Sequence, residues 1–489
     1  MLVATVLGSG IAFLDSTVVN VALPHIGDDF DTGVGGLQWV LSGYLLAVSS
    51  LILLGGSLGD RFGRKRVFQI GVVVFAVASL LCAVAPTAAL LVVFRVVQGV
   101  GGALLTPGSL AILEASFRPS DRGRAIGAWS GLSGVAGAIG PFVGGWLVDA
   151  ASWRWIFLIN LPLAAVVVAI AARHVPETSD VDAPRHVDAA GALLVGLGLG
   201  GVTWGLIAAG DEGWGDPLVW GPLMAGAAAL VVFVAVERAS QAPMVPPSIF
   251  ASAQFRAANL VTAAMYAALG GVFFLLVVQL QNVLGYSAVE AGAASLPITV
   301  MMLGLSARSG DLAARIGPRL QMTVGPLLVA AGALLMTRIE AGVSYVGGVL
   351  PAVLVMGLGL ATVVAPLTAT ALAAVDDRHA GIASGVNTTV ARVAQLLAVA
   401  GLPMLAGITG RSYVDPVELS DGFRTAMAIT AGLAALGGVL GFLTVRNPAR
   451  APGVEAAAAP TGWFCGADGP PLNTCPGSAA AGAGAGRAA

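Results

Sequence analysis

Three charged side chains fall inside long apolar runs: Asp15, Arg95 and Arg392. A charge at the centre of a membrane helix costs about 2.5–3.5 kcal/mol on insertion scales, so each calls for a reason. Asp15 could hold and release a proton. Burial favours its neutral form and a nearby guanidinium its anion, so a moving protein could alternate between the two. The other reading is a fixed ion pair or a helix-packing hydrogen bond. Around Arg95 the order Arg95-Val-Val-Gln98-Gly99-Val-Gly-Gly102 puts a guanidinium, an amide and two glycines on one helical face. Such a face lines a cavity or acts as polar packing between helices. Arg392 sits among Asn387, Thr388, Thr389 and Gln395, a second mildly polar face. Asn20, Gln98, Gln279, Asn387 and Arg392 are the candidates for contact with a substrate; Gln281 and Asn282, beside Gln279, either join them or reach the interface.

The elements that must position these groups are membrane helices. The chain is 57% hydrophobic and 10% charged, against about 25% charged for a soluble chain. A span needs about 20 apolar residues. Fourteen runs qualify: 2–24, 37–58, 67–85, 88–113, 125–149, 154–172, 188–209, 218–236, 256–282, 290–307, 320–338, 343–374, 380–408 and 422–445. The 343–374 run is long and is expected to tilt or to kink at Pro351 or Pro366. Asp15 and Arg95 lie about 14 and 10 Å below the same surface at 1.5 Å per residue, so neighbouring helices could pair them. Chemistry of other kinds finds no residues. No glycine-rich phosphate loop with its lysine occurs, the few histidines (His25 and His174 among them) lie outside the runs, and Cys82, Cys465 and Cys475 have no metal or redox spacing. No enzyme activity, cofactor, metal or nucleic-acid partner is expected, and the chain is expected to act as a monomer.

Charge sets the orientation. Gly56-Ser-Leu-Gly-Asp-Arg-Phe-Gly-Arg-Lys-Arg66 is a polar block between two apolar runs, expected as a tight loop, and holds the only lysine. With it and the amino terminus inside, seventeen arginines and lysines fall on the inner side, including Arg118, Arg122, Arg124, Arg185 and Arg378; only Arg154, Arg338, Arg411 and Arg424 fall outside. The outer loops are acidic, as in Asp28-Asp-Phe-Asp31 and Asp211-Glu-Gly-Trp-Gly-Asp216. The polar block also repeats: Gly56, Leu58, Arg61, Gly63 and Lys65 correspond to Gly310, Leu312, Arg315, Gly317 and Arg319, 254 positions later. The same offset carries Arg124 onto Arg378 and Gly127 onto Gly381. This predicts duplication: an all-α integral membrane protein of two parallel six-helix halves, 1–172 and 251–450, with two inserted helices in 173–250 and a disordered Ala/Gly/Pro-rich tail, 451–489. In the fifth run Gly127/Gly131 and Gly140/Gly144 are small-residue pairs suited to close helix contact, and Pro141 with Gly145 suggests a helix at a moving interface.

Several stretches resemble one family. Leu14-Asp-Ser-Thr-Val-Val-Asn-Val-Ala-Leu-Pro24, Gly56–Arg66, Arg95-x-x-Gln98-Gly99, Gly140-Pro-Phe-Val-Gly-Gly145, Trp153-Arg-Trp-Ile-Phe-Leu-Ile-Asn-Leu-Pro162 and Leu280-Gln-Asn-Val-Leu-Gly-Tyr-Ser287 resemble, in order, motifs of the fourteen-span drug:proton antiporters of the major facilitator superfamily. The resemblance covers about 1–445. It implies export of amphipathic or cationic drugs or antibiotics in exchange for protons, from a bacterial plasma membrane with both termini cytoplasmic. Asp15 and Arg95 would couple protons, and Gly56, Asp60, Arg61, Gly63, Arg64 and Lys65 would form a cytoplasmic latch in which Asp60 binds arginines or caps the third span. Departures are Ala136 where a glycine is common, Ala314 in the second-half loop where the first has Asp60, and a start directly at the first span, either trimmed or with its start codon upstream. The alternatives are an exporter of one endogenous metabolite or self-made antibiotic on the same fold, and a non-transporting membrane sensor.

Overall fold

The computed structural model describes residues 1–117, 119–179, 188–240, 243–375 and 380–447. Arg118, Arg185, Arg378, Arg450, Cys465, Cys475 and the tail lie outside the described residues, as do the side chains of Glu114, Arg122 and Arg124. Among the described residues the regular structure is all helical. Fourteen helices are long and apolar enough to cross a membrane, numbered here as spans 1 to 14: Leu2–Phe30, Val34–Phe62, Arg64–Ala83, Ala88–Leu113, Gly127–Ala150, Trp155–His174, Ala189–Asp211, Pro217–Ala239, Ala253–Asn282, Ala288–Ile316, Arg319–Met336, Tyr345–Ala373, Gly381–Leu405 and Pro416–Thr444. Span 12 opens with a π turn, Tyr345–Val349, just before Pro351, which has no N–H to continue the regular ladder.

The block Gly56–Arg66 is not the loop its polarity suggests. Span 2 runs on through Phe62, Gly63 alone makes the turn at φ 105°, and the next helix starts at Arg64. A helix satisfies its own backbone on either side of the hydrocarbon boundary, so polarity alone does not unwind it. The second half repeats the device: span 10 ends at Ile316, Gly317 turns at φ 86°, and span 11 starts at Arg319. Both turns need the conformational freedom of glycine.

Helix neighbours recur with a shift of eight spans. Spans 2 and 4 pack together, as do 10 and 12; likewise 3 and 4 with 11 and 12, 1 and 5 with 9 and 13, and 3 and 6 with 11 and 14. The halves meet where span 1 touches 9, span 2 touches 13 and span 5 touches 10. A buried apolar cluster joins them, from Val18, Leu23 and Ile26 to Leu276, Leu280 and Phe423.

The seam is tied at one end. We call the end with Arg61, Arg64 and Arg315 the basic face and that with Asp28, Asp31 and Asp211 the acidic face. Near the acidic face Gln281 Nε2 donates to the Val21 carbonyl at 2.9 Å, Val34 N to Gly410 O at 2.8 Å, and Gln38 Nε2 to the carbonyls of Val399 and Ala400 at 2.8 Å each. Arg411 pairs with Asp31 at 2.6 Å. Tyr413 Oη donates to Thr32 O at 2.9 Å, and burial holds its phenol above the usual range, so it stays a donor. Asp149, ending span 5, accepts the amides of Ala288 and Val289 at 3.1 and 2.8 Å.

Span 5 shows the seam parting. Gly140 packs on Leu14 and Thr17 of span 1, Gly144 on Val18, Gly145 on the backbone of Ala288 and Val289, and Pro141 on Gly292 of span 10. Gly127 lies eighteen residues from Gly145, about five turns, and so on the same helical face. A Cβ placed at Gly127, Gly131 or Gly134 would nonetheless meet nothing within 4 Å. The Gly127/Gly131 pair, expected in tight contact, therefore faces open space. Spans 5 and 10 touch near the acidic face and separate toward the basic one, while span 13 stays on span 2 much further down, with Gly385 beside Leu53 and Leu396 packed with Val48 and Ile52.

The inserted pair leans on one seam. Span 7 follows span 2, from Gly196 beside Ser50 through the Trp204–Trp39 ring contact at 5.6 Å to Asp211 against Gly35. It also touches span 13, Leu206 against Gly401 and Gly210 against Met404. Span 8 packs on span 7 through Gly198, Gly201, Gly205 and Gly226, where the backbones approach too closely for a side chain between them.

Candidate functional site

Asp15, Arg95, Gln98, Ser79 and Asn160 form one polar cluster in the first half, each at most 1% exposed. Arg95 Nη1 pairs with Asp15 Oδ2 at 2.6 Å and donates to Gln98 Oε1 at 2.5 Å, while Nε donates to the Val40 carbonyl at 3.2 Å. Asp15 Oδ1 accepts from Gln98 Nε2 at 2.8 Å and Asn160 Nδ2 at 3.1 Å, and both amides also reach Ser79 Oγ, at 2.8 and 3.3 Å. The guanidinium lies 4.6 Å from the Tyr44 ring centre and 5.7 Å from that of Phe157. Five spans thus converge on one carboxylate. Span 6 delivers Asn160 because its helix breaks at Ile159 and restarts there.

The physical character of the site follows. Moving two charges into a low-dielectric interior costs several kcal/mol each, and the pair survives because both carboxylate oxygens and the guanidinium are hydrogen-bonded. Protonating Asp15 here would leave Arg95 buried without its counter-charge.

The remaining candidates divide. Gln98, expected on a cavity wall, is a fully buried member of the cluster. Gln279 is also fully buried and donates to Ile339 O at 2.8 Å and Ser420 Oγ at 3.2 Å, so it binds span 9 to its own half instead of lining a cavity. Asn282 likewise turns to the Tyr413 carbonyl at 2.9 Å. Asn387 Nδ2 bonds Asn259 Oδ1 and Thr262 Oγ1, at 3.2 and 2.9 Å, joining span 13 to span 9. Asn20 is half-buried and returns its amide to Ser16 O and Thr17 O at 3.3 and 3.4 Å. Arg392 is half-exposed, 6.0 Å from the Phe13 ring of span 1, with Gln395 Oε1 at 3.5 Å. Sequence reasoning missed Ser79 and Asn160; each is an isolated polar residue in an apolar run, the signal that picked out Asp15 in a weaker form.

At the basic face Asp60 pairs with Arg64 one turn on, at 2.7 Å, and Arg61 stacks on Phe62 at 4.9 Å. Asp60 does not cap span 3. Glu177, beyond span 6, accepts the amides of Lys65 and Arg66 at 3.0 and 3.2 Å, while Lys65 Nζ donates to Ala172 O at 2.9 Å. The corresponding residue of the second half is Asn447, which accepts Arg319 N at 3.0 Å. Replacing Glu177 by Ala should cost about 1 kcal/mol, the usual worth of an N-cap, read as a lower melting temperature of the purified protein; Glu177→Gln should lose less.

A duplicated all-helical membrane bundle with a buried ion pair and a seam that parts between spans 5 and 10 has the architecture of a secondary transporter. The chain belongs to the Major Facilitator Superfamily, whose family model matches residues 5–399. It is similar to the puromycin resistance protein pur8 of Streptomyces alboniger, 36% identical over 90% of this chain and 89% of that one. It is also similar to the tetracenomycin C resistance and export protein of Streptomyces glaucescens, 36% identical over 83% of this chain and 75% of that one. A solved D-xylose-proton symporter shares the fold at a TM-score of 0.64, 15% identity, covering 91% of this chain and 97% of that one.

Proposed function

We propose that the chain is a proton-coupled antiporter that exports amphipathic drugs or antibiotics across a bacterial plasma membrane by alternating access. The observation that carries this reading is the Asp15–Arg95 pair, sealed at 0% and 1% exposure in a helix bundle whose spans 5 and 10 part toward the basic face. The relatives named for antibiotic resistance and export supply the direction and the substrate class. By its arginines the basic face is cytoplasmic, so the gap between spans 5 and 10 faces inward and both termini lie inside. The Asp60–Arg64 pair and the Glu177 cap hold the span 2–span 3 turn as a latch that favours one state. The chain works as a monomer. A second reading, export of one compound, is favoured by the relative named for a single antibiotic.

The test is transport by purified protein in inverted vesicles. Tetracenomycin C, named for the export relative, and a neutral aromatic amphipath should accumulate when an acid-inside gradient is imposed, and collapsing the gradient should stop it. Accumulation indifferent to the gradient would overturn proton coupling; a panel in which one compound alone moves would select the second reading.

A further inference from the structure

The interior of the seam carries a charge that the ion-pair cluster does not cancel. Asp15 and Arg95 neutralise each other within 2.6 Å. Arg392 stands twelve residues into its span, about 18 Å from the basic end, and among the described residues no carboxylate pairs with it. The acids Asp376 and Asp377, fifteen or more residues earlier in the sequence, lie outside the described residues. The other acids of the spans sit near their ends: Asp60, Asp149, Asp211, Glu237, Asp311 and Asp421 among them. Arg392 belongs to the second half and the Phe13 ring it faces, 6.0 Å away, to the first, and both remain half-exposed, so this contact borders accessible space between spans 1 and 13. An arginine at mid-membrane without a counter-charge is costly. A substrate anion would remove that cost and would gain charge-assisted hydrogen bonds from the guanidinium, with Phe13 offering an aromatic surface to its apolar part.

We propose that Arg392 anchors the substrate and that the preferred substrates are amphipaths bearing one negative charge, a carboxylate or an ionised phenol, and not cations. The proposal rests on the exporter reading above and deepens it. In that reading a cation would compete with the proton for Asp15, but Arg95 already occupies this carboxylate. The anion instead binds apart from the proton site, and the two are linked through movement of the halves.

Three matched probes test it: pyrenebutyrate, its neutral amide and pyrenebutylamine, with binding followed by tryptophan-to-pyrene energy transfer in the purified full-length protein. The carboxylate should bind at least tenfold more tightly than the amide, and the ammonium most weakly. Arg392→Gln should lower the carboxylate-to-amide ratio about tenfold, and Arg392→Lys should restore much of it. Tightest binding of the ammonium, or a ratio unchanged in Arg392→Gln, would overturn the proposal. Vesicle uptake of the amide, with and without a pH gradient, tests the exporter reading separately: absent uptake alongside intact charge selectivity would reject the transporter mechanism and leave the anion site standing.

Discussion

Asp15→Asn should abolish gradient-driven export and also lower the thermal stability of the purified protein, whereas Asp15→Asn combined with Arg95→Gln should regain the stability without the export. The single change removes the anion that neutralises a guanidinium 1% exposed. Breaking a buried pair by removing one partner costs about 3–5 kcal/mol, because the surviving charge has no water to turn to. Part of that loss is moderated here, since Gln98 and Asn160 can still donate to the oxygen of a neutral amide. Neutralising both partners removes the stranded charge. It cannot return the proton carrier. The two readouts therefore separate a structural ion pair from a coupling group: melting temperature follows charge balance, and transport in inverted vesicles follows the carboxylate. Export in the double variant that still responds to the gradient would show that Asp15 only holds helices together.

Gly145→Leu should shift the protein away from the state described here and reduce transport at least tenfold. A side chain at Gly145 would run into the backbone of Ala288 and Val289, which cannot swing aside as a flexible side chain would. Overpacking of this kind costs about 1–3 kcal/mol. If the halves alternate, that cost falls on the state closed at the acidic face, and each 1.4 kcal/mol shifts the ratio of two states about tenfold. Gly127→Leu makes the opposite experiment, since nothing lies within 4 Å of it now. It leaves this state intact and obstructs closure of the basic face. Labelling of a Gly131→Cys probe by a membrane-impermeant maleimide from the basic side should fall in the Gly145→Leu background and hold in the Gly127→Leu background. Equal labelling in both would mean that this helix face does not open and close.

The large features were legible because they arise from constraints on many residues. Hydrocarbon thickness fixed the fourteen spans, and the repeat of Gly63 at Gly317 carried through to matching turns of positive φ. The Asp15–Arg95 contact could be anticipated because depth along a helix is arithmetic. What failed depended on facing and on distant partners. Gln279 and Gln98 are polar in apolar surroundings, and nothing local says whether such an amide turns to a cavity or to a neighbouring carbonyl. The cap of span 3 comes from Glu177, more than a hundred residues away, so the nearer Asp60 looked the better candidate. Span ends were misjudged because helices continue past the hydrocarbon, as span 2 does to Phe62.

The inserted pair has a consequence in parity. Spans 7 and 8 form a hairpin that leaves the membrane on the side it entered, so the chain begins its second half with the same polarity as its first. An insertion of one helix, or three, would have turned the second copy upside down, placing the counterpart of Gly63 at the opposite surface from Gly63 itself. Because eight is even, the copy reached by the shift of eight lies parallel to the first and not inverted.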